Sequence, residues 1–363
     1  MEKKTQELIH LANKRFTEVL SDGFKLFIKT YKSLIIPLAL FQIILIALNV
    51  LLLTDLNWYI DSLRVSIDAI MEKFIENISL TESELNELAY FLFMTLAQFF
   101  LQNLIGAVII TIAMCSVSNY VFKMYMHEDT SLSKSFKSAF NKKMLIVILI
   151  LGISLPIGSF LLLFPAIIIF GFFIFLIFTY NIGDGKNLIS EARSIAKRAF
   201  WKIIGIFVIN VLFILIIDST VTAILDFFLI NDSTIPIISS WYNPATRNFG
   251  MLILYNILYS IVDIIFAPLF ICLLTALFSS LKAKRDLKIQ YQQGHYPQRE
   301  LYQKSYEILG QKPIDLVETE GTTTSPDIRL DSRFYCPFCG VSINTPKKFC
   351  PRCGENLSSL WSD

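Results

Sequence analysis

Residues 144–180, MLIVILILGISLPIGSFLLLFPAIIIFGFFIFLIFTY, decide the fold. No charge interrupts these 37 residues. A helix rises about 1.5 Å per residue and satisfies its own backbone polar groups, so about 20 apolar residues cross about 30 Å of hydrocarbon. The stretch is long enough for one strongly tilted helix or for two helices joined by a turn. Pro156, Gly158 and Pro165 supply the turn chemistry. The flanks choose between the two: five Lys and Arg lie in 123–143 and five in 181–202. The positive-inside rule puts both flanks on the cytoplasmic side, so the stretch must turn back between Pro156 and Pro165. It then holds two spans, 144–162 and 164–180.

Four further apolar regions, 33–54, 89–122, 200–230 and 250–281, bring the count to six spans. Lys and Arg number seven in 1–32 and five in 281–300, against two in 55–88 and one in 231–249. Both termini are therefore expected inside a cell membrane crossed six times. The composition agrees. The chain is 54% apolar, 17% charged and carries 31 Phe among 363 residues, with mean hydropathy +0.56. Soluble domains have about 25% charged residues, and one compact core could not hide this much apolar surface from water. A lipid bilayer is the expected solvent, and the fold class is an all-α polytopic membrane protein in three helical hairpins.

A signal peptide is the competing reading of the first span. Its 22 residues follow 32 others, unlike the short basic start and apolar stretch of about 7–15 residues of a cleavable signal. An uncleaved anchor is expected. Between the first two spans, residues 55–88 hold eight carboxylates, among them Asp68, Glu72, Glu76 and Glu84, with apolar residues at helical spacing. This reads as an acidic amphipathic hairpin outside the bilayer.

A basic segment precedes each odd-numbered span, and the three look alike: Leu20-Ser21-Asp22-Gly23-Phe24-Lys25, Leu132-Ser133-Lys134-Ser135-Phe136-Lys137 and Ile189-Ser190-Glu191-Ala192-Arg193. Each sets an aliphatic residue, a serine and a small residue in register. Either a threefold repeat of hairpins or the common needs of basic amphipathic helices would produce this, and both place Lys and Arg toward anionic headgroups at the cytoplasmic interface. The third copy goes further. The run Gly183-Asp184-Gly185-Lys186-Asn187-Leu188-Ile189-Ser190-Glu191-Ala192-Arg193-Ser194, followed by Lys197-Arg198-Ala199-Phe200-Trp201-Lys202-Ile203-Ile204-Gly205, resembles the signature of the glycerophosphoryl diester phosphodiesterase membrane-domain families and their six-span relatives. The resemblance covers about residues 10–290 and implies six spans in three hairpins. It brings no catalysis, because that family's name comes from members fused to a separate barrel, and the soluble part of this chain is too short for a barrel of about 250 residues.

Past residue 281 the chain turns polar. Residues 282–310 are helix-compatible and are expected to form a cytoplasmic helix, while 311–334 are too poor in apolar residues to pack and read as a flexible linker. Residues 335–357 then contain Cys336-Pro337-Phe338-Cys339-Gly340 and Cys350-Pro351-Arg352-Cys353-Gly354. Each Cys-x-x-Cys-Gly turn can point two thiolates at one centre, and four sulfurs in a tetrahedron suit Zn(II). The pattern resembles a short β-rich zinc ribbon with Cys336, Cys339, Cys350 and Cys353 as metal ligands. Disulfides are the structural alternative, disfavoured in a reducing cytoplasm, and iron is the alternative metal for the same ligands. Four protein ligands leave no open position, so the site is structural and its expected use is contact with a cytoplasmic protein. Lys347, Lys348 and Arg352 are too few to argue for nucleic acid.

Little else in the sequence carries chemistry. His10, His127 and His295 fall in three separate segments, and there is no phosphate-binding loop or nucleophilic constellation. An enzyme is not expected, and no catalytic residue is assigned. The candidate intramembrane site is Asp263, about 13 residues into the last span, with Asn256 and Tyr259 on nearby turns and Asn210, Gln98, Gln102 and Asn103 as partners from other spans. It reads either as a proton or ion site or as a hydrogen-bonded carboxyl fixing helix packing. The function expected is a membrane organiser or regulator acting through its tail; the alternative is a transporter or lipid-handling protein with a polar path past Asp263. The sequence sets no oligomeric state.

Overall fold

In a computed structural model, the described residues are 8–292 except 77, 162, 184–186, 198 and 232, together with 334–335, 342–343 and 349–350. Two compact units divide the chain: residues 16–279, and the terminal segments 1–15 with 280–363. Among the described residues six helices are long and apolar enough to cross a membrane, those over Phe16–Ile75, Glu82–Tyr125, Met144–Leu161, Phe164–Ile182, Phe200–Leu229 and Ile261–Leu287. The chain is a helical multi-pass membrane protein. Of the linker expected at 311–334, all but Phe334 lies outside the described residues, as does most of the cysteine-bearing tail.

The first two helices outrun the bilayer. Helix α1 (Phe16–Ile75) has 60 residues and rises about 90 Å, three times the hydrocarbon thickness. Its apolar middle takes up the lipid, which leaves Leu20 to Lys25 at one end and 55–75 at the other as helical continuations. The first basic segment is therefore the start of the first spanning helix, where a separate interfacial helix was expected, because no helix-breaking residue follows it before Pro37. Helix α2 (Glu82–Tyr125) returns alongside. The acidic hairpin of 55–88 is thus the projecting end of two spans rather than an element of its own. Ser66 Oγ donates across it to Glu87 Oε1, and Gln98 Nε2 donates to Asn57 Oδ1 at 2.7 Å.

Thr81 caps α2 in a capping box: its Oγ1 accepts from the Glu84 N–H, and Glu84 Oε2 accepts from the Thr81 N–H at 2.8 Å. Lys73 Nζ, from α1, lies 2.5 Å from Glu84 Oε1. The Lys73 hydrogen bond above all, then those from Thr81, hold the Glu84 carboxyl down from 4.5 to about 2. A carboxyl whose pKa falls on folding stabilises the fold above its unfolded pKa, so this end of the hairpin should lose that contribution as pH drops from about 4.5 to about 2. The pair is exposed and screened, so the effect is small. Amide exchange at 82–88 should quicken over that range in the native protein and show no such step in Glu84→Gln.

Between α2 and the amphipathic helix α3 (Leu132–Ala139), His127 sits at φ 56°, in the left-handed region. The Glu128 N–H donates to Lys123 O and the His127 N–H to Met124 O, the bond pattern of a Schellman cap. That position favours glycine, since a Cβ there costs about 1–2 kcal/mol. Part of the gain is offset by unfolded-chain entropy, so His127→Gly should stabilise the protein by about 0.5–1 kcal/mol in a detergent melt.

The uncharged stretch does turn back. Helix α4 (Met144–Val147), a π-helical turn over Ile148–Ser154 and α5 (Leu155–Leu161) make one span, and α6 (Leu163–Phe173) and α7 (Leu176–Ile182) make the next. A Cβ on Gly158 would lie 3.1 Å from Ala166 N, so the two limbs touch there. A Cβ on Gly152, inside the π turn, would lie 3.2 Å from Val108 Cα of α2. Helix α8 (Leu188–Ala196) then leads to α9 (Phe200–Leu229), and α10 (Thr234–Tyr242) and α11 (Phe249–Tyr259) lead to α12 (Ile261–Gln292).

The core forms at one end of the return helices. Residues 111–121 of α2, 174–180 around α7 and 269–279 of α12 hold most of the fully buried side chains. Phe278 joins all three: its ring is 4.6 Å from Phe178, stacked, 5.4 Å from Phe175 and 5.7 Å from Phe122. Phe266 and Phe270, about three and two turns before it on the same helix, meet Phe27, Phe213 and Phe207 of α1 and α9. Hydroxyls enter this core by bonding backward: Ser116 donates to Ala113 O, Thr275 to Ile271 O, and Tyr180 donates to Cys115 O at 2.9 Å. Helix α1 approaches α12 closely at Gly23, where a Cβ would stand 2.9 Å from Leu273 Cα. The small residues in register in the three basic segments, Gly23, Ser135 and Ala192, are all buried.

Candidate functional site

The last apolar run, 250–281, is not one helix. Ser260 ends α11 with its N–H donated to Asn256 O, and α12 starts at Ile261. Unbroken, the pair would form a rod from Phe249 to Gln292; the break lets α11 fold against α1, where Leu252 packs with Ile46, Val50 and Ile264. Hydropathy alone could not show this, because both sides of the break are apolar. Helix α12 continues instead to Gln292, so the cytoplasmic helix expected from 282 begins as a direct extension of the last span; residues 293–310 lie outside the described residues.

This moves Asp263. It occupies the first turn of α12 and is exposed, where a place about 13 residues into a continuous helix was expected. A helix N-terminus favours a carboxylate through its unpaired N–H groups and its dipole. The expected partners are directed elsewhere. Tyr259 Oη donates to Asp226 Oδ1 of α9 at 2.7 Å, and Asn256 Nδ2 donates to Leu252 O at 2.8 Å within α11. Gln98 is bound to Asn57, and Asn103 donates to Phe99 O. Asn210, on α9, is buried with no partner for its Oδ1 among the described residues. The charged neighbour of Asp263 is Asp218, also on α9. Two carboxylates and the Asp226–Tyr259 bond thus line the seam of α9 with α11 and α12.

One polar group escaped the sequence reading. Arg247, before α11, pairs with Asp55 Oδ1 of α1 at 2.5 Å, donates from Nη2 to Tyr242 O and lies 5.4 Å from the Phe249 ring centre. Only 12% of its side chain is exposed. The signal was available: Arg247 is the lone cation of 231–249, and Asp55 is the first carboxylate after the first span.

Of the proposed metal ligands, Cys336, Cys339 and Cys353 lie outside the described residues, and Cys350 is buried. Phe334–Tyr335 pairs antiparallel with Ser342–Ile343, Phe334 opposite Ile343. Among the described residues no group of three or more His, Cys, Asp or Glu is placed to hold a metal ion. Cys115 and Cys272 are buried in spans, Cys272 Sγ 3.6 Å from Thr30 Oγ1, and serve as small apolar fillers. Comparison with protein-family models, curated proteins and solved structures gives no match for this chain.

Proposed function

We propose that the protein is a membrane organiser or regulator, without enzymatic activity, held in the cell membrane with both termini cytoplasmic. Its tail binds one Zn(II) through Cys336, Cys339, Cys350 and Cys353 and presents the folded module to a cytoplasmic protein. The spacing of the two Cys-x-x-Cys-Gly turns carries this reading. The short antiparallel pairing on either side of the first turn supports it, since a ribbon sets each pair of thiolates on such a hairpin. The membrane part follows the six-span, three-hairpin plan implied by its resemblance to the phosphodiesterase membrane-domain families, and the excess of Lys and Arg on four of its flanks supports the orientation. Affinity capture of full-length protein against a form cut after residue 310 tests the role. A defined set of proteins should be retained by the first and lost by the second; equal retention would count against the tail as the contact.

The seam at Asp218 and Asp263 favours a second reading, a transporter or lipid-handling protein. Two neighbouring carboxylates on one helix seam are costly unless one is neutral or a cation bridges them. Asp263→Asn separates the readings. In reconstituted vesicles an organiser should keep its fold and melt at the same or a slightly higher temperature, because a like-charge contact is removed. A transporter should lose cation-coupled flux.

A further inference from the structure

The projecting end of α1 bears a surface that neither lipid nor the rest of the described chain covers. Val65, Asp68, Met71, Glu72, Ile75 and Glu76 line one shallow open face of it. Val65 is 79% and Ile75 74% exposed, while Ile60, Ile67 and Ile70, on the opposite face, are buried. Asp68, Glu72 and Glu76 recur at four-residue spacing, so they stand one above another in a row about 12 Å long. None of the three has an ion-pair partner among the described residues. Like charges at this spacing oppose the helix that carries them, so the row is unfavourable until a cationic surface meets it. The segment 55–88 sets eight carboxylates against two cations, Arg64 and Lys73.

From this face we infer a docking site for a cationic amphipathic helix of another protein, with Lys or Arg at four-residue spacing opposite Asp68, Glu72 and Glu76, and apolar residues against Val65, Met71 and Ile75. Charge complementarity selects that occupant. A second copy of this chain would bring the same negative row, and a phospholipid surface offers anionic or zwitterionic headgroups and lies roughly 33 Å of helix from Glu76, counted from the end of the span at Thr54.

The test uses the full-length protein in phosphatidylcholine nanodiscs, with empty discs as reference and a labelled 18-residue Leu/Lys amphipathic peptide as the probe. Saturable binding above empty discs is expected. The combined change Asp68→Asn, Glu72→Gln, Glu76→Gln keeps shape and removes charge, and should weaken binding about tenfold or more. Val65→Ser with Ile75→Ser should weaken it through the apolar contact and decides the matter if the first variant is not helical. Binding no greater than to empty discs, or binding that both variants leave intact, would overturn the proposal. So would a dimer that Ile75→Asp dissociates, since the occupant would then be a second copy.

Discussion

Full-length protein carrying Cys339→Ser should lose its metal: one zinc per chain by elemental analysis in the native protein, none in the variant. A module of about 30 residues has too little core to fold alone, so binding and folding are one event, with an apparent energy of about 10–16 kcal/mol at neutral pH. Loss of one of four thiolates removes most of it. Chelation of the native protein should reproduce the variant, collapsing protease resistance in residues 335–357 while leaving the helical signal of the spans unchanged. Iron in place of zinc would keep the ligand set and change the metal found. A native protein with no bound metal, or a tail whose protease resistance survives chelation, would remove the basis for the module.

Phe278→Ala should be the most damaging single change in the bundle. In lipid the transfer term for a phenyl ring nearly vanishes, because acyl chains are as apolar as the core. What remains is lost packing. A cavity of roughly 100 Å³ at about 24 cal/mol per Å³ gives about 2–3 kcal/mol. The loss falls on three helices at once, since Phe278 meets Phe122, Phe175 and Phe178. Phe227, 81% exposed on the lipid face of α9, is the control: Phe227→Ala should change stability by less than about 0.5 kcal/mol. Unfolding in mixed micelles measures both. Equal effects at the two positions would mean that the core does not lie where the return helices meet.

The two results follow from unequal legibility of the chain. Length and charge placed the spans, because hydrocarbon thickness and positive flanks are one-dimensional constraints; the turn of 144–180 followed from the Lys and Arg counts of its flanks, with Pro156 and Pro165 locating it. The break at Ser260 was invisible, since it separates two apolar segments and is set by the packing of Leu252 against Ile46 and Val50. The place of Asp263 along its helix was hidden for that reason: counted from residue 250 it lies about 13 residues in, whereas its helix starts at Ile261. The length of α1 was also hidden, because a change from apolar to acidic residues marks the membrane surface but does not end a helix. Tyr259 and Asn256 could be read as polar residues of the last apolar run, but which carboxylate Tyr259 would reach depends on the crossing of α9, which no local pattern encodes. The cysteine spacing needed no fold to be read.

Sidedness is the claim on which the rest depends, and labelling of intact cells with a membrane-impermeant maleimide measures it most directly. With the native tail cysteines replaced in turn, Val65→Cys should react from outside, while Cys336 and Lys137→Cys should react only after the membrane is opened. Cys336 reacting from the exterior of intact cells, or Val65→Cys remaining protected until lysis, would contradict the account.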